Sequence, residues 1–244
     1  MTGAFPGVKT TYALLVALCS FFLAWSITYA GPNAGPNADD LAKTLNDEWG
    51  VIFYTLPSDQ QAERFKALLP RIREFKAKYP YRAEPLIIEA VTQCTLVAAE
   101  WSFSALSDIE NAKDLLLKAI DIDPKAMEAA AYIALGNLYY RLPGWPISFG
   151  DEDLARQYLE TAIKLYPDEV DTNYFLGDYW LGEGEYDKAL LYLEKAEKAK
   201  VRPEHELSDR HTKAETLKAL EAARKRENGR DSFFADIVPS FFKQ

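Results

Sequence analysis

The sequence predicts an all-α protein made of helical hairpins that stack on one another. Three observations lead to this prediction. A pattern of Leu-Gly, an aromatic residue and then Ala-x-x-x-Leu-x-x-Ala occurs twice between residues 129 and 203. Helix-forming residues are abundant and runs of β-branched residues are scarce, while prolines and glycines separate the segments of helical periodicity. The small residues of the pattern let two antiparallel helices approach closely, and its large residues fill the space between them.

The repeated pattern sets the register of two hairpins and indicates a third. One repeat covers 129–169 and the next covers 170–203, and a weaker copy over 93–126 has Glu100 at the position of the glycine. A capping helix near 207–227 would cover the last repeat with one polar face outward. The residues expected to hold the hairpins together are Gly136, Ala155, Ala162, Pro167, Gly177, Ala189 and Ala196.

Two further helices precede the repeats. Apolar residues recur at helical spacing from Asp39 to Tyr54, after acidic residues in the first turn. A second helix follows Ser58 and is expected to bend or split at Pro70. The helical domain therefore extends over 39–228.

The order of these residues resembles the tetratricopeptide repeat, a helix–turn–helix unit of about 34 residues. The resemblance implies a short right-handed solenoid in which the first helix of each repeat lines a concave groove. The groove positions of that family are exposed and would bind a protein or peptide partner. The alternative is that several of these residues pack between repeats. In this sequence they are Trp101, Ile133, Asn137, Tyr140, Arg141, Asp171, Tyr174 and Asp178.

The turn inside the 129–169 repeat is longer than the turns of the other repeats. It contains two prolines, two glycines and three large apolar residues, Trp145, Ile147 and Phe149. Either the segment 143–151 packs on its own helices, with Asp151 capping the next helix, or Trp145 and Phe149 contact a partner or line a pocket. The sequence leaves both alternatives open.

The first 30 residues have the layout of a secretory signal peptide. Lys9 is their only charge, residues 12–27 are almost wholly apolar, and small residues stand three positions and one position before Gly31. This layout predicts a periplasmic or secreted protein; the alternative is a retained inner-membrane anchor that faces the periplasm. A repeated Gly-Pro-Asn-Ala predicts a flexible linker over 31–38.

Charge and composition limit the classes of function. A net charge of −9 argues against nucleic acid or an anionic membrane as a partner. Once the signal peptide is removed, Cys94 is the single cysteine, and we expect a buried apolar side chain rather than a reactive thiol. No catalytic constellation or phosphate loop is recognisable, and His205 and His211 lack zinc-pair spacing and are expected to be solvated. We therefore predict a protein that is not an enzyme and that has no cofactor and no metal.

The long turn followed by the alanine-rich helix is also similar to exported repeat proteins related to the T-component of tripartite ATP-independent periplasmic (TRAP) transporters, over roughly 129–225. That resemblance implies a periplasmic helper that docks with a solute-binding protein and can form homo-oligomers. Two hypotheses follow: an exported scaffold that holds a protein or peptide in its groove, or a transport accessory or small-ligand carrier with a pocket under Trp145. The apolar tail at 229–244 either folds back over the last repeat or docks on a partner or a membrane edge.

Overall fold

The computed structural model describes residues 38–100 and 104–227. Helices account for most of these residues, and no strand occurs among them. The predicted all-α fold of stacked hairpins is therefore confirmed. A short 3₁₀ turn (Pro203–His205) precedes the last helix. The helices are α1 (Ala38–Thr55), α2 (Ser58–Lys78), α3 (Glu84–Ala99), α4 (Ala105–Ile122), α5 (Ala126–Arg141), α6 (Glu152–Leu165), α7 (Val170–Gly182), α8 (Tyr186–Lys198) and α9 (Glu206–Lys225).

Several predictions fall on residues that the structure does not describe. They are the signal peptide at 1–30, all of the linker except its last residue, Trp101 and the tail at 229–244. That last linker residue, Ala38, is the first residue of α1 and is buried. Within the described ranges, none of the helices combines the length and the apolar character that crossing a membrane requires.

The helices pack in chain order as antiparallel hairpins. Helices α3 and α4, α5 and α6, and α7 and α8 form three successive hairpins, and α9 packs on α7 and α8. The first of these hairpins begins at Glu84, upstream of the predicted repeat start at residue 93. The reason is local, since Pro85 lies in the first turn of α3, where its missing N–H removes no helical hydrogen bond.

Two glycines set the closest approaches within the hairpins. A Cβ atom on Gly136 would lie 2.6 Å from Cγ of Leu159, and a Cβ atom on Gly177 would lie 2.7 Å from Cγ of Leu193. Each leucine therefore occupies the space that its glycine leaves. The four alanines of the repeated pattern are fully buried beside these contacts, so the pattern marks the packed face of each hairpin.

Helix α2 continues through Pro70 to Lys78 as one helix, so the predicted split at this proline does not occur. Leu68 and Ile72 flank the proline on the same face and are fully buried in the core between α1, α2 and α3. Their burial, worth about 1.5–3 kcal/mol for each side chain, offsets the hydrogen bond that proline removes from the helix.

Candidate functional site

Helix α1 faces the concave side of the solenoid, which the first helices of the hairpins (α3, α5 and α7) line. Nε1 of Trp49 in α1 donates a hydrogen bond to Oγ1 of Thr95 in α3 at 3.2 Å. One turn further along α1, Tyr54 stacks on His211 of α9 with ring centroids 4.9 Å apart. Helix α1 therefore connects the first hairpin with the capping helix. The concave side is not the open groove that the sequence predicted, because Trp49 and Tyr54 of α1 lie on that side between α3 and α9.

A cavity of about 190 Å³, the inner cavity, remains between α1 and these helices. Its volume is on the scale of the ~150 Å³ engineered cavity that accepts benzene. Burial raises the pKa of the Cys94 thiol to about 12, which agrees with the predicted apolar role of this cysteine. The wall of the inner cavity is largely apolar and includes Trp49, Ile87, Val91, Cys94, Ile133, Ala134, Leu138 and Phe175.

One end of the inner cavity is polar and is organised by Arg202. Nη2 of Arg202 donates to Asp209 Oδ1 at 2.5 Å and to Asp171 Oδ2 at 2.7 Å. Burial lowers the pKa of Arg202, but the hydrogen bonds and charges of Asp209 and Asp171 raise it above its ordinary value overall. The guanidinium is thus neutralised by carboxylates of this chain. It joins the start of α9 to α7, and removal of the Arg202 side chain would leave the buried carboxylate of Asp209 without its cation.

The same end contains an ion pair between His205 and Glu128, with Nε2 and Oε2 3.3 Å apart. The hydrogen bond from His205 lowers the pKa of Glu128, and the same bond raises the pKa of His205. Glu128 lies in a short stretch, from Met127 to Ala129, whose φ angles are 49° to 62°. This left-handed stretch interrupts the helical geometry of α5 where Met127 and Glu128 line the cavity.

The expectation that both histidines are solvated is wrong. Each is half-buried, and each contacts a side chain of a helix that is distant in the sequence. His205 pairs with Glu128 of α5, and His211 stacks on Tyr54 of α1. The spacing of the two histidines argues against a zinc pair. It does not indicate contacts with residues far away in the sequence, such as Glu128 and Tyr54.

The residues predicted to line the groove do not share one surface in the structure. Trp101 lies outside the described residues. Tyr140 lines a cleft on the outer side of the solenoid instead, described below. Four of the predicted residues line the inner cavity, namely Ile133, Asn137, Arg141 and Asp171.

Three of the predicted groove residues are buried. Ile133 is 9% exposed, Tyr174 is 0% exposed and Asp178 is 2% exposed, so the prediction that these positions are exposed is wrong. Ile133 packs with Ala129 and Ala162. Tyr174 packs with Leu193 and Leu220 in the core beneath α9, and Asp178 forms an ion pair with Arg141. Tyr174 is buried because α7 belongs to the last hairpin, where the capping helix covers a position that would be open in an internal repeat. Asp178 is buried where it pairs with Arg141 of α5.

The segment 142–151, the α5–α6 loop, is pinned to its own hairpin by backbone hydrogen bonds. Gly150 N donates to Pro143 O at 2.9 Å, and Asp151 N donates to Tyr139 O at 2.9 Å. A Cβ atom on Gly150 would lie 1.9 Å from the carbonyl oxygen of Leu142. Any Cβ atom at position 150 would collide with backbone atoms of Leu142, which cannot rotate away as a side chain can. The position therefore requires glycine.

Side chains of the α5–α6 loop divide between packing and exposure. Oδ1 of Asp151 accepts a hydrogen bond from Leu154 N at 2.9 Å and caps α6. Phe149 packs edge-on against Tyr139 at 5.3 Å. At the tip, by contrast, Trp145 is 90% exposed and Ile147 is 63% exposed. The two alternatives that the sequence left open are thus both present, in different parts of one loop.

A second depression, the outer cleft, lies beside this loop and has a volume of about 560 Å³. It is open and polar, so it differs from the enclosed apolar pocket expected under Trp145 for a small-ligand carrier. Gly182 leaves room for Tyr140 here, since a Cβ atom would lie 2.0 Å from the tyrosine hydroxyl. That hydroxyl donates to Glu183 Oε1 at 3.1 Å. The walls of the outer cleft include Tyr140, Glu152, Arg156, Tyr179, Trp180 and Glu183.

Sequence reasoning missed the residues that close the concave side. Trp49 and Tyr54 were part of a predicted amphipathic helix, but nothing in their spacing says which surface that helix covers. Arg202 and Asp209 were missed as well, because their pairing with Asp171 joins segments far apart in the chain. The only available indication was the excess of aromatic residues at the C-terminal end of α1.

Comparison with known proteins agrees with this architecture. A family model described as the tetratricopeptide repeat matches residues 147–169, which run from the end of the α5–α6 loop through α6 to the residue before α7. No curated protein matches the chain. The stacked hairpins define a helical-repeat protein. The family match covers residues 147–169, and together with the hairpins it supports the presence of a tetratricopeptide repeat, a motif that generally binds protein partners and acts as a scaffold.

Proposed function

We propose that this chain is a non-catalytic scaffold that binds a protein partner on its outer side, at the tip of the α5–α6 loop. The observation that carries the proposal is the exposure of Trp145 and Ile147, at 90% and 63%. Large apolar side chains in water are unfavourable by about 1.5–3 kcal/mol each relative to burial. Tryptophan is also the residue type most enriched among binding hot spots.

The concave side supports this role less well than the outer side. Its first helices face α1, whose Trp49 and Phe53 rings stack at 5.0 Å and already cover apolar surface. A peptide in the groove would have to displace α1, together with the contact between Tyr54 and His211. The loop tip requires no such rearrangement. Its backbone is held by the hydrogen bonds that Ile147 N and Ser148 N donate to Gly144 O at 3.2 and 3.3 Å, so little ordering entropy is lost when a partner binds.

The test is site-specific photo-crosslinking in intact cells with the full chain. A photoreactive phenylalanine analogue replaces Trp145 in one variant and Tyr81 in a second. Tyr81 is a matched control, because it is also a surface aromatic residue at 68% exposure but lies between α2 and α3. We expect one discrete crosslinked protein from position 145 that is absent from position 81. Equal or no crosslinking at the two positions would contradict the proposal.

A second candidate function, small-ligand binding as a transport accessory, is favoured by the inner cavity. This cavity is mostly apolar and has a volume of about 190 Å³, enough for a ligand near the size of benzene. Native mass spectrometry of the purified protein should then detect a bound molecule. Ala134→Phe, which adds a ring to the cavity wall, should abolish it. An unchanged adduct in that variant would place the ligand elsewhere.

The proposed function includes a location outside the cytoplasm. We propose export on the basis of the apolar segment 12–27 and the small residues before Gly31. N-terminal sequencing of the protein recovered from the periplasmic fraction should begin at Gly31 if the segment is cleaved. Recovery with the membranes and with Met1 retained would indicate the anchored alternative.

A further inference from the structure

The outer cleft joins two repeats directly beside the proposed docking loop. One side consists of the α5–α6 loop and the N-terminal turn of α6, and the other side consists of the C-terminal turn of α7. A partner that covers Trp145 would therefore also face the cleft. The chemistry of the cleft determines which kind of side chain the partner can place there.

Carboxylates dominate the charge of the outer cleft. Asp151, Glu152, Asp153 and Glu183 line it, against the single cation of Arg156. Nη2 of Arg156 donates to Asp153 Oδ1 at 2.9 Å, so this cation is already paired with a carboxylate. The three acids at the start of α6 also stabilise the positive end of that helix. Their presence alone would not indicate a ligand.

Glu183 accepts a hydrogen bond from the Tyr140 hydroxyl, but its charge does not stabilise the helix to which it belongs. It is the C-terminal cap residue of α7, and a negative charge at the negative end of a helix dipole is unfavourable. Burial is the main cause that raises the pKa of the neighbouring Tyr179 to about 12; the charges of Glu183, Glu152 and Asp153 add to the rise, and the charge of Arg156 opposes it. The carboxylate of Glu183 therefore lies where helix stability disfavours it and where a cation would be attracted.

The ring of Trp180 already contacts a cation of this chain that is not part of the cleft wall. Nζ of Lys188, which belongs to α8, lies 4.2 Å from the ring centroid of Trp180. Tyr179 packs edge-on against the same tryptophan, with centroids 5.1 Å apart. A ring face bordered by carboxylates is a favourable site for an ammonium or guanidinium group. The long apolar stem of such a side chain can also cover the aromatic walls.

From these observations, and resting on the proposed function, we infer that the outer cleft receives a lysine or arginine side chain of the protein partner that covers Trp145. The partner is thus a protein with a basic residue next to an apolar contact surface. Glu183 and Glu152 attract the cation, and Trp180 and Tyr179 provide the walls for its stem. This charge complementarity also agrees with the net charge of −9 on the whole chain.

The experiment uses random dodecapeptides displayed on phage and selected against the full chain. We expect selected peptides to combine an apolar or aromatic residue with a lysine or arginine at a fixed spacing. A synthetic copy of the strongest binder should bind about tenfold more weakly to the double variant Glu152→Gln, Glu183→Gln than to the unsubstituted chain. Glutamine keeps an acceptor for the Tyr140 hydroxyl, so the fold should be retained, and circular dichroism checks this.

Matched controls separate this inference from the proposed function. Glu160→Gln removes one charge from α6 outside the cleft and should leave peptide affinity unchanged, whereas Trp145→Ala should weaken it. Peptides that require Trp145 but contain no basic residue, or whose affinity is indifferent to the double substitution, would overturn the inference and leave the proposed function standing. Peptides indifferent to Trp145→Ala, or no selected peptide at all, would contradict both.

Discussion

The concave side and the α5–α6 loop place aromatic residues in opposite environments. On the concave side, Trp49 stacks on Phe53 of α1, Tyr54 packs edge-on against both rings, and Tyr54 also stacks on His211 of the capping helix. At the loop tip, Trp145 is almost fully exposed, although the loop backbone is pinned to the same hairpin. The comparison shows that α1 already covers the concave side. Unsatisfied apolar surface remains on the outer side, and there we expect the partner.

The largest effect should come from the α1 side of this comparison. Leu45 is 0% exposed in the core that α1 shares with α2 and α3. Leu45→Ala should therefore lower the free energy of unfolding by about 3 kcal/mol, measured by urea denaturation. Trp145→Ala should change it by less than about 0.5 kcal/mol, because an exposed side chain makes few contacts. Equal effects of the two substitutions would mean that α1 is not part of the cooperative fold.

A substitution at Gly150 tests whether the conformation of the α5–α6 loop depends on the close approach of Gly150 to the carbonyl of Leu142. Gly150→Ala forces a Cβ atom against the Leu142 carbonyl and should lower the free energy of unfolding by about 2 kcal/mol. Gly144→Ala is the control, since its Cβ atom would meet only Gly150 O, at 3.3 Å, and should cost less than about 1 kcal/mol. If both variants unfold at the same urea concentration, this close approach does not fix the loop.

The end of the same loop should show a smaller effect through helix capping. Asp151→Ala removes the hydrogen bond from Leu154 N and should destabilise the protein by about 1 kcal/mol in urea denaturation. Asp151→Asn keeps a capping acceptor and should retain nearly all of the stability. A loss as large in the asparagine variant would show that the charge of Asp151, rather than the cap, stabilises the start of α6.

The smallest effect concerns the polar end of the inner cavity and its dependence on pH. The hydrogen bond to Glu128 raises the folded-state pKa of His205 above its unfolded value. The stabilisation is therefore complete below about pH 6.5 and is lost as the pH rises through the raised pKa. The lowered pKa of Glu128 adds stability above its unfolded pKa and loses it only in acid. Arg202, Asp209 and Asp171 also face this pair.

We expect the unsubstituted chain to lose about 0.5 kcal/mol more stability than His205→Gln between pH 5.5 and pH 8.5. The effect is small because the side chain of Glu128 is 39% exposed and is screened by solvent. Urea denaturation at the two pH values measures the difference. Parallel pH profiles of the two proteins would show that the His205–Glu128 pair does not contribute.

Much of the fold could be predicted because hairpin formation depends on residues close in the sequence. Gly136 and Leu159, or Gly177 and Leu193, meet across one turn, and their spacing defines the contact. The cap at Asp151 was predictable for the same reason. The groove residues were less predictable. Burial of Tyr174 and Asp178 depends on α9 and on Arg141, which lie in other elements of the structure.

The sequence by itself determined the helices, their hairpin pairing and the acidic character of the surface, since helical periodicity and charge are local properties. Only the tertiary structure decided that α1 faces the concave side, that His205 and His211 have long-range partners and that Trp145 projects into solvent while Phe149 packs. Periodicity specifies which face of a helix is apolar. It does not specify what covers that face, because this depends on contacts between residues far apart in the chain.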